Sequence, residues 1–194
     1  MAAKVKYGLK NAYYALATID STTGAATYGT PKRLPGAVSI SLDPAGESQT
    51  FYADDVAYFV TGGSTGYTGE LELALIPDDF LKDCLGQDGS ETGAIIETAD
   101  FSPKNFALLF EFATDDHAMK HVFYNCTANR GSITGNTKGE NTEVQTETIS
   151  LNASSVYNAK LDTQIVKAKA DNTNAGYSSW YTNVWQPVVP SPGP

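Results

Sequence analysis

His117 and His121 are the only histidines in the 194-residue chain, and they stand four apart in Asp115-Asp-His-Ala-Met-Lys-His121. On a helix that spacing puts two imidazoles on one face, as a two-histidine metal site requires. Here alternating apolar residues run on both sides of the pair, so it falls at the junction of two strands, and no third ligand is placed near it. Asp54-Asp55, Asp78-Asp79 and Asp115-Asp116 are paired carboxylates. General acid–base chemistry needs two carboxylates in one cleft with separated pKa values, whereas adjacent aspartates at turns and helix starts serve as caps. Asp54-Asp55 also lacks the alternating oxygen ligands of a calcium loop. Gly131-Ser-Ile-Thr-Gly135-Asn-Thr-Lys138 has the glycines of a phosphate loop. Asn136 and Thr137 intervene before Lys138, however, and no helix follows, so backbone and ammonium do not converge on one phosphate. No Gly-x-Ser-x-Gly elbow occurs. These residues predict no catalytic group, no metal and no cofactor.

The elements that would carry them have a period of two. Val38, Ile40 and Leu42 alternate with Ser39, Ser41 and Asp43; Leu71, Leu73 and Leu75 with Glu70, Glu72 and Ala74; Phe106, Leu108, Phe110 and Phe112 with Ala107, Leu109 and Glu111. Each run predicts a strand with one buried face. Weaker strands are expected at 12–17, 122–128, 146–152 and 165–169. Two segments break the period. Pro77 to Gly86 gathers Phe80, Leu81, Cys84 and Leu85 on one helical face, with acids at its start and glycine past its end, and predicts a short helix. Ser178 to Trp185 places Trp180, Val184 and Trp185 on a helical stripe behind a serine cap, and predicts a second helix. Ser21–Pro35, rich in Thr, Gly and Pro, reads as a mobile arm. Asp54–Thr68 alternates poorly and reads as a hairpin or a loop that orders against a partner.

Composition narrows the function classes. Thirteen Lys and Arg against 22 Asp and Glu leave a net charge of −9, which disfavours a nucleic-acid binder that works by displacing counterions. No stretch approaches the ~20 apolar residues of a membrane span, and the first ten residues hold no apolar core of a secretory signal. Cys84 and Cys126, the only cysteines, are expected to be reduced and buried. Glutamates alternating with apolar residues at Glu70, Glu72, Glu111, Glu143 and Glu147 suggest a negatively charged wall on one side of a sheet.

Tyr7-Gly-Leu-Lys-Asn-Ala-Tyr-Tyr-Ala15 and Pro35-Gly-Ala-Val-Ser-Ile-Ser-Leu-Asp-Pro44 resemble the major tail proteins of long, non-contractile-tailed bacteriophages. So do Phe51-Tyr-Ala-Asp-Asp55, Gly66-Tyr-Thr-Gly-Glu-Leu-Glu-Leu-Ala74, Phe106-Ala-Leu-Leu-Phe-Glu-Phe112 and His121-Val-Phe-Tyr-Asn-Cys-Thr127. These are the tail tube subunits of the branch found in phages of Gram-positive hosts. The likeness runs in register from Tyr7 to the Trp180–Trp185 segment and does not reach the Pro-rich end.

The resemblance implies a mainly β fold, two packed antiparallel sheets forming a sandwich or flattened barrel with one flanking helix. It implies a single tail-tube domain over 1–186 and a Pro-rich extension over 187–194. It implies a structural, non-enzymatic virion protein, assembled in the host cytoplasm as stacked hexameric rings. The bore passes DNA without binding it, and there is no membrane. Implied partners are further copies of the chain, the tape-measure protein, the tail tip and the tail terminator. Glu70, Glu72, Glu111, Glu143 and Glu147 are then the lumen candidates. A long hairpin near 54–68 would bridge successive rings, with Phe51, Tyr52, Asp54, Asp55, Tyr58, Phe59 and Tyr67 as contact candidates. The rival expectation is a virion-attached or secreted carbohydrate-binding β-sandwich, with Tyr58, Tyr67, Trp180 and Trp185 stacking on sugar rings.

Overall fold

A computed structural model describes residues 4–46, 49–53, 55–61, 66–89, 93–100, 102–137 and 144–188. In chain order the elements are β1 (Lys6–Ile19), β2 (Ala26–Tyr28), β3 (Lys32–Arg33), β4 (Ala37–Ala45), β5 (Gln49–Ala53), β6 (Val56–Thr61) and β7 (Gly66–Leu73). There follow α1 (Asp78–Leu85), β8 (Asp88–Gly89), β9 (Ile95–Ile96), β10 (Phe106–Thr114), β11 (Met119–Ala128), β12 (Glu147–Ser154), β13 (Val156–Asn158), β14 (Thr163–Ile165) and β15 (Lys167–Ala170). Among the described residues the fold is mainly β, as predicted: two main antiparallel sheets, three two-stranded ribbons, one helix and no closed barrel.

The sheets share one strand. Along a single hydrogen-bonded path the order is β2-β1-β10-β11-β12-β7-β4, with β3 on β1 and β15 on β11. β15 pairs with the first part of β11 through Lys120–Phe123 and β12 with its last part through Asn125–Ala128, while β10 pairs with it from Met119 to Cys126. An extra residue in β11 between Phe123 and Cys126 marks the corner, since a bulge bends and twists its strand. The path therefore folds back on itself into a sheet of β1, β10, β11 and β15 and a sheet of β11, β12, β7 and β4.

Alternation along β10 supplies two cores. Phe106, Leu108 and Phe110 point between the sheets and join Tyr14, Leu71, Leu73, Phe123, Ile149 and Leu151. Ala107 and Leu109 point the other way and join Ala15, Val122, Tyr124, Val156 and Trp180. Each buried Leu, Ile, Val or Phe among them contributes about 1.5–3 kcal/mol by leaving water. Gly69 lets β4 approach β7, because a Cβ there would strike the Ser41 carbonyl.

The predicted short helix is present. Pro77 occupies the N-cap in an extended conformation, Asp78 and Asp79 fill the first turn, and Gly86 terminates the helix at φ 61°, a left-handed conformation glycine adopts without strain. Phe80 lies edge-on to Tyr14 and Phe106, with ring centroids 5.1 and 5.4 Å apart. The Tyr14 hydroxyl donates to Asp83 at 2.9 Å, and Lys32 meets the same carboxylate at 2.5 Å.

Two expectations are corrected. Ser178–Trp185 is not a helix but a series of turns, held by Thr182 and Asn183 N–H groups donating to the Ser179 carbonyl at 2.9 and 3.3 Å. Tertiary anchors override the local stripe: Trp180 is fully buried, its Nε1 donates to the His121 carbonyl at 3.2 Å, and it stacks on Trp185. Ser21–Pro35 is not a free arm either. Ala26–Tyr28 pairs with Ala17–Ile19, Lys32 and Arg33 pair with Tyr14 and Tyr13, and Leu34 is buried.

Trp180→Ala is expected to cost about 3–5 kcal/mol, the range for emptying a buried aromatic site. Chemical denaturation should show a lower midpoint with an unchanged slope.

Candidate functional site

Three successive rows on the outer face of the β4–β7–β12 sheet are built from polar alternates. Its rows, read across β4, β7 and β12, are Asp43–Thr68–Asn152, Ser41–Glu70–Ser150 and Ser39–Glu72–Thr148. Beneath them Leu71, Leu73, Ile149 and Leu151 face the core. Neither Lys nor Arg occurs in any of these three strands. Glu72 accepts the Thr146 hydroxyl at 2.6 Å and the Ser39 hydroxyl at 2.7 Å. These bonds, Thr146 first, hold its carboxyl below the usual glutamate range.

Alternation does not gather all five predicted carboxylates on this wall. Glu70 and Glu72 share it, and Asp43, which the glutamate pattern missed, extends it. Asp43 was legible as the polar partner of Leu42 in the β4 run. Glu147 is corrected to the core face: it shares the parity of Ile149 and accepts the Ile76 N–H at 2.7 Å, closing the turn that leads to α1. Glu111 is corrected to the outer side of the other sheet, where it is 8% exposed. It accepts Asn11 Nδ2 at 2.7 Å and the Tyr181 hydroxyl at 2.9 Å, and stands across the ladder from Lys120. Burial, with Glu111 second, pushes the Tyr181 hydroxyl pKa up; burial pulls Lys120 down against the opposing pull of Glu111. Lys120 donates to the Tyr177 carbonyl at 2.8 Å and lies over the rings of Tyr177 and Tyr181. This network fastens the 177–185 segment to the sheet. Glu143 lies outside the described residues.

The Asp54–Thr68 segment divides between two elements, β6 and the start of β7, and a hairpin spans Gln49–Thr61. Among the described residues β5 and β6 pair with each other, from Gln49↔Thr61 to Ala53↔Val56. Asp55 is at the turn with φ 61°, and Tyr52, Val56 and Tyr58 are 66, 57 and 72% exposed. The side chains of Phe51 and Phe59, and Asp54 itself, lie outside what is described. Tyr67 is in β7, edge-on to Phe123 at 5.3 Å.

The remaining candidates do not converge. His117 sits in the β10–β11 turn, its Nδ1 3.3 Å from Asp116. His121 stacks against Phe110 within β11, and burial, followed by Lys6, Lys167 and Lys169, pulls its pKa down to about 4. Among the described residues no three metal-ligating side chains come together. Asp115 accepts the N–H groups of Lys4 and Val5. Both cysteines are free and buried; burial pushes Cys126 up to about 12 and Cys84 higher still. The sugar-stacking shelf is also dispersed, since Trp180 has no exposed ring face.

The sequence profile of the phage tail tube protein family matches residues 2–119, and the chain belongs to that family. It is a structural protein of the phage tail and its place is the virion tail. No curated protein matches the sequence.

The Glu72 carboxyl is expected to titrate below the ordinary glutamate range by carbon-detected NMR, and Thr146→Val should raise it. A depressed folded pKa stabilises the fold above the unfolded value, and that contribution is lost as pH falls through the folded pKa. Glu72 therefore keeps its charge further into acid than an ordinary glutamate does.

Proposed function

We propose that this chain polymerises as stacked hexameric rings into a hollow tail tube, with the β4–β7–β12 face turned to the bore.

 The family resemblance supplies the ring and its six copies. What supports the reading in this chain is one observation: three adjacent strands carry Asp43, Glu70 and Glu72 on a hydroxyl- and amide-rich face and contain no basic residue.

The physical argument concerns sliding. DNA must pass the bore without adhering. A basic lining would gain affinity from counterion release at every phosphate contact and would hold the strand. Carboxylates repel phosphates instead, over a range of about 8 Å at physiological salt. Serine, threonine and asparagine keep the rest of the wall hydrated without offering fixed charge to phosphate. Repulsion is short-ranged, so it keeps DNA off the wall without opposing passage along the axis. Among the described strands β4 ends the hydrogen-bonded path beside β7, and an end strand is what a neighbouring copy can cover. Heterologous contacts of this sort close into rings laterally and extend into filaments axially. The tape-measure protein, tail tip and tail terminator are the further partners this role requires.

Electron microscopy of the purified chain over a range of concentrations is expected to show rings or hollow tubes. In a tube map, Asp43, Glu70 and Glu72 should line the bore. Phage carrying Glu70→Lys and Glu72→Lys should assemble tails but eject DNA more slowly, with the defect easing at high salt. Tubes with these carboxylates on the outer wall, or unchanged ejection by the double variant, would refute the assignment of this face.

A further inference from the structure

The second core holds two polar atoms that its protein neighbours leave unsatisfied. The hydroxyls of Tyr28 and Tyr124 are buried, and among the described residues neither has a hydrogen-bond partner. Tyr124 is fully buried, and Tyr28 packs against the same cluster. Other tyrosines of the interior are satisfied: Tyr14 donates to Asp83, Tyr177 to the Ala118 carbonyl and Tyr181 to Glu111.

The two unsatisfied groups share one place. Their ring centroids are 6.3 Å apart, with the planes tilted by 46°. Burial pushes the Tyr124 hydroxyl pKa up, and Tyr28 is the next influence on it, so the hydroxyls are neighbours that do not bond to each other. Tyr124 lies in the corner of β11, between the register positions of Phe123 and Cys126, and its N–H donates to the Val166 carbonyl at 3.0 Å. Tyr28 ends β2, opposite Ala17 of β1. A hydroxyl buried without a partner loses its hydration and gains nothing in return. Phenylalanine would fill either position without that loss. Native interiors leave few such groups unpaired, and a water with two or more polar neighbours is a common way of satisfying them.

We propose that the Tyr28 and Tyr124 hydroxyls share one buried water, which pins β2 to the corner of β11. The site is independent of the tube reading. The ligand is a single small molecule that both donates and accepts, so each hydroxyl gains a partner and the second core stays closed around it. The bridge also explains how a segment rich in Thr, Gly and Pro is held: its short strand carries a polar tie into the interior as well as a ladder on β1.

Three measurements on the full chain test the site. A density map fine enough to show ordered water is expected to place one peak within hydrogen-bond distance of both hydroxyls; two hydroxyls with no peak between them would overturn the proposal. The second is a double-mutant cycle read by chemical denaturation. A bridging water makes Tyr28→Phe and Tyr124→Phe each lower the folding equilibrium constant about fivefold, and the double variant should be no worse than either single, because each change alone strands the other hydroxyl. Dry hydroxyls predict the opposite sign, with both single variants more stable than the wild type and their gains additive, and that result would also overturn the bridge. Finally, Tyr124→Phe should quicken amide exchange in β2 about tenfold while β7 and β12 keep their protection. Unchanged exchange in β2 would show that the water, if present, does not pin the strand, and would overturn that part of the proposal.

Discussion

The path of β11 is the constraint on which the structure depends. Its first part is held between β10 and β15, and its last part is held by β12. The extra residue before Cys126 turns the strand from one sheet into the other. That corner lets a single antiparallel path enclose its own core, so Phe106, Leu108 and Phe110 meet Leu71, Leu73, Ile149 and Leu151 across the interior. Cys126 and Phe123, on either side of the corner, are both buried in that interior. A polar residue at either position would leave an unpaired group in a dry interior.

Folding the path over also makes the two outer faces unequal. The face of the β1–β10–β11 sheet is covered by Trp180, Tyr181 and the turns around them. This cover brings Glu111 and Lys120 out of water. Desolvation opposes both charges, and the hydrogen bonds of Asn11 and Tyr181 to Glu111, with the Tyr177 carbonyl for Lys120, offset the loss. The opposite face, on β4, β7 and β12, needs no cover because its outward residues are hydrophilic. One sheet face thus fixes the C-terminal segment, and the other remains open to whatever the assembled tail puts before it.

Charge is separated in the same way. The bases of the strands lie on β1, β3, β11 and β15, while β4 and β7 carry Asp43, Glu70 and Glu72. A net charge of −9 says only that acids outnumber bases; it does not say where they stand. The separation of an acidic sheet face from the basic strands follows from which strands the fold brings together.

The sequence alone determined the strands with clean alternation, because period two is a local property of the extended chain. It determined α1, because Pro77, the two aspartates and Gly86 act within a single turn of the helix. The ordered series of motifs was enough to indicate the tail tube family. Tertiary structure decided the rest. The 178–185 stripe has helical spacing, but burying Trp180 and bonding its indole to the His121 carbonyl hold it in turns. Glu111 and Glu72 alternate alike in their own strands, yet one is covered by Tyr181 and the other stays on an open face. Alternation assigns a side chain to one side of its own strand. Only the packing of strands far apart in the chain decides whether that side meets a core, a covering segment or water.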